Sequence, residues 1–387
     1  MLPCGVVMTL EQMYWTSREG WQPSAPGRLG ASAQLVLVFG SRLALRNPGL
    51  LAEIARAYPA AHITGCSTAG EICGDHVFDD AAVVTAIGFD HTPLTFATAE
   101  LSDGLSSEEA GVALADQLAR AGGLRHVLVL SDGLNVNGSE LVRGLASRLP
   151  ADVHLTGGLS GDGTEFEQTV VVLGQELRER IVTAVGFHGS EVRVGFGSVG
   201  GWDPFGPERI VTRAKGNVLY ELDGQSALAL YRKYLGDQSN QLPASGLLFP
   251  LSIRADRSGR GVVRTIISVS DADDSMTFAG DIPEGSLAQL MRANFDRLIE
   301  GAAEAARVST GAGSVRHPDL ALLISCVGQK MVLNQRVEEE VDAVREVMGP
   351  DTVLAGFYSY GEISPFATTA KCELHNQTMT ITTWSEA

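Results

Sequence analysis

The octapeptide Gly65-Cys66-Ser67-Thr68-Ala69-Gly70-Glu71-Ile72 returns near the far end of the chain as Gly356-Phe357-Tyr358-Ser359-Tyr360-Gly361-Glu362-Ile363. Each copy has a glycine, a hydroxyl residue three places on, a second glycine two further, then glutamate and isoleucine. A shortened copy, Gly157-Gly158-Leu159-Ser160-Gly161-Asp162, lies between them. A motif that recurs together with its surroundings marks a repeated structural unit, and these surroundings recur. Each copy follows an apolar run ending in small or polar residues (Leu35 to Ser41, Val127 to Asp132, Leu320 to Cys326), then a helix-patterned stretch, then a short apolar segment (Ile63-Thr64, Leu155-Thr156, Leu354-Ala355). The order strand, helix, strand, glycine turn therefore occurs three times. Right-handed crossovers bring the turn after each first strand beside its own glycine motif, so the polar loops are expected to gather on one side.

A chain of 387 residues is too long for one ordinary core and implies two or three domains. The formal charge of −17 works against a phosphate backbone or an anionic membrane, since both favour clustered Lys and Arg. No stretch approaches 18 uninterrupted apolar residues, and the short apolar patch Gly5 to Leu10 has no basic leader. A soluble cytoplasmic protein is expected, without nucleic-acid binding or membrane insertion. Five cysteines, with no Cys-x-x-Cys pair, fit reduced thiols better than a disulfide framework or a zinc site.

Taken in order, residues 1–30 read as an irregular lead-in. The pattern then predicts an α+β fold of mixed β-sheets built from repeated strand-helix-strand-strand units, in two modules, 31–201 and 202–387. Asn47-Pro48 is expected to start the first unit's helix and Ser106 with Glu109 to form a capping box for a helix ended by Gly122-Gly123. Gly200 to Pro207 reads as a linker. Leu287, Leu290, Met291, Phe295, Leu298 and Ile299 predict one long helix from about Ser286 to Val308. In the third unit Asn334 is expected to cap a helix whose stripe is Val337, Val341, Val344 and Met348, with Glu338 to Glu340 placed at its positive end.

Several motifs fail on context. Gly65 to Ser67 begins like a nucleophile elbow, but Ala69 stands where that motif needs glycine, and another strand follows instead of a helix. A hydrolase using Ser67 is the enzymatic alternative. Gly195 to Gly200 fits the dinucleotide fingerprint by letters, yet Trp202, Pro204 and Pro207 follow where a helix should open. Asp271, Asp273 and Asp274 lack the glycine and the glutamate of a calcium loop. Cys66 and Cys326 lie in the repeated loops and read as small buried residues. The repeated loops are better read as a binding pocket: the hydroxyls of Ser67, Thr68, Ser160 and Ser359, the carboxylates of Glu71 and Glu362 and the turn amides converge over apolar strand ends, with Cys66, Asp162, Tyr358 and Tyr360 beside them. Spacing assembles no acid, base and nucleophile set, so a non-enzymatic protein is expected. Glycine in the turns is explained by positive φ at Gly70 and Gly361.

With those residues in view, the chain resembles the FIST sensory family from about Ala31 to Thr383. The segments that carry the resemblance are Gly65 to Ile72, Ser131-Asp132-Gly133 and Gly157 to Asp162 for its amino-terminal module. For its carboxy-terminal module they are Tyr220 to Gly224, Phe249-Pro250-Leu251, Ser325 to Gly328, Gly356 to Pro365 and His375 to Thr378. The resemblance implies an intracellular input module for a small ligand, amino acids among the proposed ones. No fused output is expected within these 387 residues, so the partner is expected to be a separate histidine kinase or cyclic-nucleotide signalling protein. Stand-alone members of this length resemble the nitric-oxide-sensing, haem-binding subgroup. If haem is the cofactor, His375 is the leading ligand on this reading and Cys66 the next. An amino-acid sensor without haem is the other reading of the same resemblance.

Overall fold

Near-continuous apolar runs such as Leu35-Val36-Leu37-Val38-Phe39 suit strands buried on both faces, and three such runs form the centres of three sheets. The computed structural model describes residues 8–101, 104–255, 261–311, 317–365 and 372–386; residues 5–7 of the apolar patch near the amino terminus lie outside these. The first unit comprises β1 (Thr9–Thr16), β2 (Leu35–Gly40), α1 (Leu50–Ala57), β3 (His62–Ser67), a hairpin of β4 (Glu71–Cys73) and β5 (His76–Phe78), and β6 (Ala81–Gly88). The second repeats it: β7 (Leu94–Glu100), α2 (Ser107–Leu118), β8 (Leu124–Ser131), α3 (Gly138–Arg148), β9 (His154–Leu159), the hairpin β10 (Val171–Leu173) and β11 (Glu176–Arg178), and β12 (Ile181–His188). The third opens with β13 (Val192–Val199) and is interrupted by an inserted module whose outermost elements in sequence are β14 (Trp202–Lys215) and β15 (Leu287–Ala293). It resumes with α4 (Phe295–Gly311), β16 (Leu320–Cys326), α5 (Val337–Met348), β17 (Val353–Ser359), the hairpin β18 (Gly361–Pro365) and β19 (Cys372–His375), and β20 (Met379–Glu386).

The sheets are mixed and share one plan. Parallel pairs β2/β3, β8/β9 and β16/β17 lie at the centre. Strands β6, β12 and β20 run antiparallel to the first strand of each pair, with β1, β7 and β13 beyond them. The other side of each pair is completed by a hairpin from a different unit: β10 pairs with β3, β18 with β9, and β4 with β17. First hairpin to third sheet, second to first and third to second, the exchange closes a ring. Inner faces of the three sheets meet in one apolar core that includes Leu37, Phe39, Leu130, Phe187, Leu322, Phe357 and Trp384. Helices α2 and α3 cover the outside of the second sheet, α4 and α5 that of the third. The inserted module is an eight-stranded antiparallel sheet with a helix at Ala227–Leu235.

Several sequence expectations need correction. The lead-in is structured: β1 pairs along its whole length with β6, and Glu11 binds the amides of Gly27, Arg28 and Leu29. The stretch Gly200 to Pro207 is largely strand, because β14 pairs with β15 from Trp202 onward. The single helix from Ser286 to Val308 is a strand followed by a helix. Residues Leu287 to Ala293 are hydrogen-bonded on both sides, to β14 and to Leu251–Arg254, and this pairing overrides their helical spacing; Asn294 then caps α4 by accepting from the Arg297 amide at 3.3 Å. Gly49, not Asn47, precedes α1. Asn334, at φ 48°, separates a helix at Val327–Leu333 from α5 and caps neither by its side chain. The capping box at Ser106 and Glu109 is present. Since β13 pairs with β20, the proposed division after residue 201 falls between β13 and the rest of the third unit.

Gly65, Gly157 and Gly356 occupy the same place in the three units. A Cβ at each would overlap the carbonyl of the parallel neighbour, that of Val38, Val129 and Leu323 respectively. Gly356→Ala is therefore expected to cost roughly 3 kcal/mol or more, as overpacking against rigid backbone does. Gly74→Ala, at φ 61° in open space, should cost only about 1 kcal/mol. Thermal unfolding of the two variants beside the parent checks the contrast; equal losses would refute it.

Candidate functional site

The three glycine turns do converge, but on each other. Gly161 N donates to Ser67 O (2.9 Å), Ala69 N to Tyr358 O (2.8 Å) and Tyr358 N to Gly70 O (2.8 Å). Within the first copy Thr68 Oγ1 donates to Glu71, whose other oxygen accepts from Ala81 N at 3.2 Å. The third copy repeats the arrangement: Ser359 Oγ donates to Glu362 at 2.8 Å, and Glu362 accepts from Thr378 N and Oγ1 at 3.2 and 3.0 Å. The shortened copy has no glutamate here. Asp132, from the loop after β8, supplies the carboxylate instead and accepts from Arg180 N at 2.7 Å, just before β12.

The remaining expected site residues are accounted for in the same way. Ser67 Oγ accepts from Val170 N at 2.9 Å. Asp162 accepts from the amides of Phe166, Glu167 and Gln168 and from the Tyr360 hydroxyl. Tyr360 stacks on Phe166 with ring centroids 4.6 Å apart. Tyr358 donates to Glu340 at 2.6 Å. Cys66 lies wholly inside the central core, where burial pushes its thiol well above the ordinary range. Ser160 Oγ is buried without a hydrogen-bond partner among the described residues. Ser67, Asp162, Tyr358, Tyr360 and Cys66 are at most 7% exposed, as is Ser160. Gly70 does have positive φ, at 138°, whereas Gly361 does not; a Cβ at Gly361 would press on Leu374 and Asn376.

An open cleft lies elsewhere, at the seam between the second unit and the inserted module. It encloses about 1090 Å³ between α3, the start of β9, the hairpin β18/β19 and the module's strands. Val142, Leu149, Val153, Leu155, Ile253 and Val262 supply apolar wall; Arg143, Arg254, Arg264, Asp281, Glu284 and Glu373 supply charge. None of the expected site residues lines it. His154 does, half-buried against Phe196, and so does Cys372. The corresponding place in the first unit holds a smaller cleft of about 590 Å³, lined by Tyr58, His62 and the turn of β10/β11. Arg264 was legible as a charge set among β-branched residues in Val262-Val263-Arg264-Thr265-Ile266. Glu340 was legible too, since it sits on the apolar stripe of α5 between Val337 and Val344.

Haem finds no fitting ligand among the residues expected to hold it. His375 is buried, with Nε2 2.7 Å from the Ser364 carbonyl, and the cleft is lined by Cys372, Glu373 and Leu374 but not by His375. Cys66 lines neither cleft. No group of three metal-ligating side chains occurs among the described residues, and no described helix is long and apolar enough to cross a membrane.

Models of the FIST N domain and the FIST C domain match residues 34–225 and 227–365. The chain belongs to the FIST family. The FIST N match spans the first unit from β2 onward, the second unit and β13 and enters the inserted module; the FIST C match takes the rest of that module and the third unit from α4 as far as Pro365. FIST domains are sensory modules that bind small ligands in signalling. No curated protein matches this FIST chain in sequence. Among solved structures, the crystal structure of a chorismatase aligns over 98% of this chain and 99% of its own, at 9% identity and a TM-score of 0.38.

Burial raises the carboxyls of Glu71 and Glu362 to about 8 and that of Glu340 to about 7, from 4.5. The native state therefore holds more protons than the unfolded chain between these limits, and stability falls as pH rises through them, by up to ~1.4 kcal/mol per pH unit for each group. The buried His126, held neutral, opposes this trend below about pH 6.5, so the melting temperature should decline from about pH 6.5 to pH 8, and the double variant Glu71→Gln, Glu362→Gln should show a flatter decline. Parallel curves for parent and variant would refute this.

Proposed function

We propose that this FIST protein senses a small molecule bound in the cleft between its second unit and the inserted module, and passes the signal to a separate histidine kinase or cyclic-nucleotide signalling protein. The cleft supports this reading most directly. Its volume of about 1090 Å³ and its apolar wall with a few charged groups match the usual form of a ligand site. It also lies where three parts of the chain meet: α3 and β9 of the second unit, the β18/β19 hairpin of the third, and the module. A ligand that touches all three changes how they are held together. Amino acids remain the first class to try.

The reading is non-enzymatic. Ser67, the nucleophile of the hydrolase alternative, is buried and its oxygen is taken up by the Val170 amide. Haem is left out of this reading because neither His375 nor Cys66 lines the cleft. Haemin added to the purified protein is expected to give no Soret band beyond that of free haemin; a shifted band that persists after gel filtration would bring haem back.

Ala146 lies exposed on the α3 wall, so Ala146→Trp fills the cleft without disturbing the core. In a thermal-shift screen of the protein amino acids, short organic acids and nucleobases, at least one compound is expected to raise the parent's melting temperature. A ligand at a hundred times its Kd stabilises by about 2.7 kcal/mol. The shift should vanish in Ala146→Trp. A shift retained in that variant places the ligand outside the cleft.

A further inference from the structure

Among the described residues three arginines line the cleft, and two of them are neutralised. Arg143 pairs with Glu108 at 2.8 Å and with Asp281 at 3.1 Å; Arg254 pairs with Glu208. Arg264 differs. It is 6% exposed, and among the described residues no carboxylate lies within ion-pair distance of it. Its guanidinium is held by main-chain oxygens: Nε donates to Asp281 O at 3.2 Å, and Nη1 to Leu374 O at 2.9 Å and Val263 O at 3.4 Å. Nη2 has one long contact, 3.5 Å to Ser139 Oγ. Burial lowers its pKa to about 10, so the group is still a cation at neutral pH. A buried charge is costly unless a counter-charge meets it. Here the carbonyls fix the fork in place, and the carboxylates of Asp281 and Glu373 act on it only from beyond ion-pair distance, too weakly to offset its burial.

The repeat supplies an internal comparison. Among the described residues, the equivalent cleft of the first unit has no lysine or arginine in its lining. The cation therefore belongs to this cleft and not to the repeated plan, and it comes from the inserted module. The acids nearby are engaged or outward: Asp281 binds Asn137 and Arg143, Glu284 accepts from Ala214 N, and Glu373 is exposed.

Resting on the cleft as the ligand site, we propose that its ligand is a small organic carboxylate. Arg264 holds the carboxylate, and Val142, Leu149, Ile253 and Val262 take the hydrocarbon part. A planar guanidinium matches a carboxylate in geometry as well as charge. Because Arg264 is tied to Leu374 of the third unit and stands beside Ser139 of the second, an anion there acts on the seam between module and core.

The test uses matched probes: benzoate, phenylacetate and 4-methylpentanoate, each beside its primary amide, with inorganic phosphate at the same ionic strength. Binding is read by isothermal titration and ligand-observed NMR on the parent, Arg264→Gln and Ala146→Trp. At least one acid is expected to bind the parent, roughly tenfold or more tighter than its amide, and to be weakened to a similar extent by Arg264→Gln and lost in Ala146→Trp. Should Arg264→Gln fail to fold, the acid-to-amide ratio and Ala146→Trp decide the matter with the arginine in place. Acid and amide binding alike, phosphate displacing the acids at equal concentration, or a folded Arg264→Gln that binds like the parent would each overturn the proposal. If no acid binds but the compound screen yields a ligand blocked by Ala146→Trp, the cleft stands and the carboxylate falls. An acid still bound by Ala146→Trp removes the cleft itself.

Discussion

Where Gly65, Gly157 and Gly356 meet the carbonyls of Val38, Val129 and Leu323, no side chain separates two parallel backbones. That approach draws each strand pair together at the place where the chain must shortly leave its sheet. A few residues later it enters the neighbouring sheet as a hairpin, and three such departures close the ring. No unit completes its own sheet. Each would expose the free edge of its second parallel strand if it stood alone, and unpaired edges are a liability that folds must cover. The central core of Phe39, Phe187, Phe357 and Trp384 exists only because three inner faces are held against each other by this exchange.

Buried carboxyls follow from the same geometry. A strand that turns across to another sheet leaves amides at the turn without ladder partners, and interior amides need acceptors. Glu71, Glu362 and Asp132 meet that need at equivalent places, accepting from Ala81, Thr378 and Arg180. The glutamates of the octapeptide thus serve the fold's own hydrogen bonding. The larger cleft gains what the repeat lacks, a wall from the inserted module laid against α3.

The repeat made the number of units and the order of their elements legible, because apolar runs and glycine turns are local signals. Partner choice was not legible. The strands β4, β10 and β18 span only 3, 3 and 5 residues, too short for periodicity to say which sheet receives them. Leu287 to Met291 carried helical spacing and became strand because two neighbours pair with it. At the site, convergence of Ser67, Thr68, Glu71, Ser359 and Glu362 could be read from their recurrence, but not whether they enclose space or fill it. Filling depends on Tyr358, Tyr360 and Phe166 packing from distant parts of the chain. Arg264 lay in plain view as a charge among Val and Ile, yet only the fold shows that it faces a cleft.

The exchange also sets an order on synthesis. The hairpin β4/β5 docks on β17, with Cys73 opposite Ala355. Its partner strand therefore leaves the ribosome roughly 280 residues later, about 15 to 55 s at ordinary rates of translation. The second hairpin has no such wait, since β3 is made before β10, and the third finds β9 already formed. The first unit must therefore keep a short buried-type strand shielded for most of the time it takes to make the protein. Chaperone dependence should then be concentrated in this one hairpin.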